Sequence, residues 1–284
     1  MRQIIINADD FGLTEGINRG IVKAYSDGIL TSASLLPNGP KFNDAVALSR
    51  ENPGLGVGVH LNIFRGKPIL GKSEVSSLID KNGYFISSPG YFFLKSMLNR
   101  VKPDEIENEF RAQISRVISA GILPSHLDTE KHIHVFPFIY KILFNLATEF
   151  KIGKVRCLEP GRYFKQLLNI RRLTLYLLLL STRGRRKNID HKGILTPKCI
   201  YGLLDGGNMF QDKYRKIFNT CEGNVEIVCH PGYTYDISEN INLEMGNFYI
   251  NRYREKELEA LLSKDLKDLA NNLGIKFITY RGLN

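Results

Sequence analysis

Short apolar runs alternate with segments of helical period along almost the whole of this chain, and that alternation restricts the fold more than any other feature. Strand-like runs recur at Ile4 to Ala8, Ser32 to Leu36, Leu55 to Leu61, His126 to Asp128, Lys154 to Leu158, Val225 to Cys229 and Lys276 to Tyr280. Between most of them the apolar positions return every three or four residues: Glu15 to Ser26, Asn43 to Arg50, Asp104 to Ala120, Phe138 to Phe150, Asp212 to Asn219 and Arg252 to Leu273. Strand followed by helix, repeatedly, implies a mostly parallel sheet. The expected architecture is therefore α/β, an irregular (β/α) barrel of TIM type in which one unit is irregular or missing. A chain of 284 residues, 43% hydrophobic, can bury such a core as one domain covering residues 1–284.

Two segments interrupt the alternation and read as loops on the barrel rim. The first, 64–102, holds Gly66, Pro68, Gly71, Asn82-Gly83 and Pro89-Gly90, interleaved with Tyr84, Phe85, Tyr91, Phe92 and Phe93. Long ordered loops in compact domains are usually lids or binding loops, and aromatic rings suit the C–H faces of sugars. Packing of the same rings onto the barrel is the plainer alternative. The second, 183–209, contains Gly184, Gly193, Pro197, Gly202 and Asp205-Gly206-Gly207-Asn208 and is expected to border the same mouth.

The balance of charge is +10, which raises the local concentration of anionic partners without naming one. No nucleic-acid-binding motif accompanies it, so a nucleic-acid partner is not expected. Locally, Arg171-Arg172, the apolar Leu173 to Leu180, and Arg183, Arg185, Arg186 and Lys187 are too short to span a bilayer, which takes roughly 20 residues. They form either an apolar face rimmed by arginine that could rest on an anionic membrane, or a barrel helix with a solvated basic loop. The opening Met1 to Ile6 is too short for a secretory apolar region, so a cytoplasmic location is expected, with room for contact at the inner membrane face and for a homodimer. Cys157, Cys199, Cys221 and Cys229 show no Cys-x-x-Cys spacing and read as reduced thiols, Cys229 as a small buried hydrophobe.

Three strand ends carry the chemistry. Ile4-Ile5-Ile6 runs into Asn7-Ala8-Asp9-Asp10-Phe11-Gly12; Val57-Gly58-Val59 ends on His60; Val225 to Cys229 ends on His230-Pro231-Gly232-Tyr233. Sites of α/β barrels lie at the carboxyl ends of the strands. A fourth cluster, His126-Leu127-Asp128-Thr129-Glu130-Lys131-His132-Ile133-His134, packs further nitrogen and oxygen donors into nine positions. Such a set suits one divalent cation, zinc or, if carboxylates dominate, a harder ion such as magnesium.

These motifs, in this order and over nearly the whole chain, resemble the YdjC-like carbohydrate deacetylases, a family that includes chitooligosaccharide and hopanoid-biosynthesis deacetylases. The resemblance implies metal-dependent removal of the N-acetyl group from an N-acetylated amino sugar, in an oligosaccharide or a lipid-linked glycan. It makes Asp9 the general base, Asp10 and His60 metal ligands, and His230 the general acid, with Arg156 in Val155-Arg156-Cys157 near the catalytic acid. Where many relatives have a further histidine ligand this chain has Glu130, so Glu130 or His132 supplies the third ligand. Two alternatives stay open at this stage: a metal-dependent phosphoesterase or other ester or amide hydrolase, and a carbohydrate-binding barrel without catalysis.

Overall fold

The computed structural model describes residues 2–161, 179–180, 182, 193–205, 207–236, 245 and 253–284. Its centre is a seven-stranded sheet. The strands are β1 (Arg2–Phe11), β2 (Ser32–Leu35), β3 (Gly56–Leu61), β4 (Leu127–Thr129), β5 (Cys199–Tyr201), β6 (Asn224–Cys229) and β7 (Ile275–Phe277). All pairings are parallel, in the order β4-β3-β2-β1-β6-β5, with β7 joining β1. Isolated parallel bridges join Leu127 to Val155 and Pro160 to Ile200, so residues 154–161 pair with β4 at one end and β5 at the other. The sheet is thus curled, and the fold is α/β and barrel-like.

Period-two patterning decides which side chains enter the curl. On β1, Ile4, Ile6 and Ala8 join the main apolar core under the helices, while Ile5 packs separately with Ile278, Tyr280 and Leu283. Asn7 and Asp9 share the inward parity of Ile5. On β3, Val57, Val59 and Leu61 join the outer core, leaving Gly58 and His60 inward. Gly58 is glycine because of a close approach: a Cβ there would lie 2.3 Å from the His126 ring, which itself stacks on Tyr280 at 3.7 Å.

The helices are α1 (Glu15–Ser26), α2 (Phe42–Glu51), α3 (Pro89–Met97), α4 (Pro103–Ser119), α5 (Pro137–Glu149), α6 (Gln211–Thr220), α7 (Tyr253–Leu262) and α8 (Lys264–Asn272) among the described residues. Thr14 caps α1, its hydroxyl accepting from the Ile17 N–H. The expected single helix over Arg252 to Leu273 is two, α7 and α8, with Ser263 at the break in an extended conformation.

Three expectations need correction. The segment 64–102 is not all loop, because α3 lies within it: Ser88 accepts from the Tyr91 N–H and Pro89 occupies the first helical turn, a start signal hidden among glycines and aromatics. The segment 183–209 likewise contains β5 and a 3₁₀ turn, Leu203–Asp205. The expected strand Lys154 to Leu158 is reduced to isolated bridges at Lys154 and Val155. The basic apolar stretch from Arg171 to Lys187 lies almost wholly outside the described residues. No helix among those described is long and apolar enough to cross a membrane.

Candidate metal and catalytic centre

Two adjacent acids on a regular strand would point to opposite faces. Here β1 carries a bulge: Ala8 pairs with Ala33 and Phe11 with Leu35, three steps on β1 against two on β2. Asp10 takes up the extra residue with φ of 71°. Both Asp9 and Asp10 consequently line one cavity of about 220 Å³, together with Arg65, Glu130, Lys131, His132, Gly202, Leu203 and His230.

Two groups of donors include its lining acids. Asp10, His60 and Glu130 bring one ligand atom each within 4.8 Å of one another, and Asp9, His60 and Asp128 do the same. His60 is fixed between them, Nδ1 lying 2.7 Å from Asp128 and Nε2 3.0 Å from Glu130. A carboxylate on Nδ1 is the usual partner of a metal-ligating imidazole, because it fixes the ring and leaves Nε2 to face the ion. Arg254 pairs with Asp10 and Arg65 with Glu130, so each acid is held by a cation on its flank. Imidazole nitrogen and carboxylate oxygens at this spacing fit a divalent cation. Burial opposes the charge on His60, but Asp128 and Asp9 outweigh it and hold the imidazole well above its usual pKa.

His132 lines the cavity but belongs to neither group. The backbone is left-handed at Lys131 and His132, with φ of 52° and 53°. Burial lowers the His132 pKa to about 4 and Arg156 adds to the effect, so the ring is neutral. Of the two candidates for a third ligand, Glu130 is the one grouped with Asp10 and His60.

Arg156 is almost wholly buried and pairs with three acids, of which Asp9 lines the same cavity as His230. Its two terminal nitrogens meet the two Asp9 oxygens at 2.9 and 2.7 Å, Asp128 lies at 2.7 Å, and Nε donates to Glu226 at 2.9 Å. Burial would raise the Asp9 pKa, yet Arg156 and His60 hold it below the ordinary value. Asp9 is therefore an ionised carboxylate. Asn7 and Ser34 complete the layer: Asn7 donates to Asp9 and to Ser34, and Ser34 donates to Asp128 at 2.6 Å. His230 is set by its backbone, its N–H donating to Glu257 and its carbonyl accepting from Arg254. Arg254 thereby links His230 to Asp10.

Glu226 has no counterpart among the sequence candidates, although an acid inside Val225-Glu226-Ile227 is itself a signal. Its carboxylate accepts from Arg156 and from the Tyr280 hydroxyl at 2.6 Å. Burial raises its pKa to about 7, and Arg156 offsets this only in part, since the guanidinium is shared with Asp9 and Asp128. Between about pH 4.5 and 7 the folded chain thus holds a proton that an unfolded glutamate has lost. Stability from this group is present at low pH and declines as pH rises through that window. In urea unfolding, wild type should lose ground to Glu226→Gln from pH 5 to pH 8; a gap that does not change with pH would show that Glu226 is already ionised at pH 5.

The buried Cys229 thiol contacts the Asn7 carbonyl at 3.4 Å, and burial pushes its pKa well up. It is a packed group, not a nucleophile.

A family model described as YdjC-like protein matches residues 3–272. A carbohydrate deacetylase of Brevibacillus brevis is 32% identical over 283 residues, 99% of each chain. One from Clostridium beijerinckii is 30% identical over 99% of this chain and its whole length. Among solved structures, a proposed cellobiose-phosphate cleavage protein from Enterococcus faecalis V583 superimposes with a TM-score of 0.78 at 27% identity, covering 98% of this chain and 97% of its own.

Proposed function

This chain belongs to the YdjC-like protein family, and from that premise we propose that it is a metal-dependent carbohydrate deacetylase. It hydrolyses the N-acetyl group of an N-acetylated amino sugar, carried by an oligosaccharide or a lipid-linked glycan. One observation carries the reading: Asp10, His60 and Glu130 bring ligand atoms together, and Asp10 and Glu130 line a cavity that also holds the ionised Asp9 and His230. We also read residues 1–284 as one domain and the curl as an irregular TIM-like barrel. A single apolar cluster running from Ile4 to Ile275 supports that reading.

An amide resists water because its carbonyl is weakly electrophilic and its amine leaves poorly. Asp10, His60 and Glu130 would hold zinc or magnesium, and such an ion polarises a carbonyl and acidifies water. Asp9, kept ionised by Arg156, accepts the proton of the attacking water, whose oxygen forms the new bond to the acetyl carbon. His230, at the same cavity, gives a proton to the sugar nitrogen as the C–N bond breaks, because an amide anion cannot depart at neutral pH. Acetate and the free amine are the products. Arg254, bonded to both Asp10 and the His230 carbonyl, ties the residue that carries the acid to one that would hold the ion.

The name of the Enterococcus relative makes phosphate the control to run. With magnesium or zinc added, the purified chain should release acetate from N-acetylglucosamine-containing oligosaccharides and no phosphate from sugar phosphates. Phosphate release without acetate would replace this reading with a phosphoesterase.

A further inference from the structure

Five of the eight exposed large apolar side chains among the described residues stand on one short element. Tyr91, Phe93, Leu94 and Met97 on α3, and Leu98 just after it, are between 46% and 67% exposed. At helical spacing Tyr91, Leu94 and Leu98 form one row and Phe93 and Met97 another, a continuous stripe. The opposite side of α3 is fastened down. Phe92 is buried against Phe64 at 5.2 Å, and Lys95 Nζ donates to the Ser77 carbonyl at 2.8 Å. The stripe is thus held outward by the fold, and contiguous exposed apolar surface of this kind marks a docking face.

Its charge surroundings select the partner. Between Lys67 and Arg100 the chain has five basic residues and two acidic ones, while Arg65 and Lys102 on either side are already paired with Glu130 and Glu105. A second copy docking isologously would set this basic segment against itself. An anionic lipid surface neutralises the charge while accepting Tyr, Phe, Leu and Met into the headgroup boundary. The position is equally specific. Lys131, which lines the cavity, donates through Nζ to the Ser87 carbonyl beside the start of α3, and Phe93 stacks on Phe136 at 5.6 Å.

We propose that α3 is a peripheral anchor that seats the cavity mouth on an anionic membrane surface. Its consequence for the substrate rests on the deacetylase reading above: the amino sugar is one borne on a lipid and presented at that surface. Docking itself needs no turnover to be observed.

Flotation with phosphatidylglycerol-containing vesicles, against pure phosphatidylcholine vesicles, tests the anchor. Wild type should float with the anionic vesicles at low salt and release at high salt. Leu94→Glu/Met97→Glu should reduce the partition coefficient by roughly tenfold or more, and Met97→Ser alone by less. Leu123→Glu should match wild type, since Leu123 precedes β4 and so lies at the opposite end of the parallel strands. Acetate release from a soluble substrate confirms that each variant is folded and tests the deacetylase reading separately. Absence of wild-type flotation, or equal flotation of the double variant, would overturn the anchor. A dimer that the double variant dissociates, seen by analytical ultracentrifugation without flotation, would instead give the face to a second copy.

Discussion

In Asp9→Asn, turnover should fall by roughly 10²–10⁴-fold, the usual contribution of a positioned general base. Asparagine keeps the shape and one acceptor oxygen for Arg156, whose charge is still met by Asp128 and Glu226, so the cavity floor should persist. Asp10, His60 and Glu130 are untouched, and a divalent ion should still bind. The informative pattern is therefore a loss in kcat for acetate release with near-normal ion binding by calorimetry. Undiminished kcat would remove Asp9 from the chemistry and leave it a structural partner of Arg156.

Strand ends were legible in the sequence because two signals coincide there: a short apolar run must stop, and the residue at which it stops faces the mouth of a parallel curl. Asp9, Asp10, His60 and His230 could be named for that reason, as could the helices whose apolar period is regular. The bulge that turns Asp10 into the same cavity as Asp9 could not, because it is a difference in count between two strands distant in sequence. Residues that hold the site rather than form it were also missed. Arg65 has Lys67 two positions away and Arg254 lies between Arg252 and Lys256, so nothing local shows which of these cations flank Glu130 and Asp10. Strand β5 is three residues, Cys199–Tyr201, too short for alternation to register among glycines and prolines. The left-handed turn at Lys131 and His132, next to Glu130, is likewise announced by no residue type in that stretch.

Arg156 carries the largest stability consequence. Its guanidinium lies among Asp9, Asp128 and Glu226, all of them buried, and is a cation that the three share. Arg156→Leu should lower unfolding free energy by about 3–5 kcal/mol, the cost of leaving buried charge without its partner. Arg156→Lys should recover part of this loss, since an ammonium restores the charge but cannot match both Asp9 oxygens at once. Urea denaturation gives both numbers, and a leucine variant as stable as wild type would mean that the acids are neutral in the folded chain. The same substitution bears on chemistry through a separate route: without the guanidinium, Asp9 loses the larger of the two interactions, Arg156 ahead of His60, that keep it ionised against burial. Lysine should therefore rescue turnover more than leucine even where both variants are fully folded, and equal turnover in the two would confine Arg156 to a structural role.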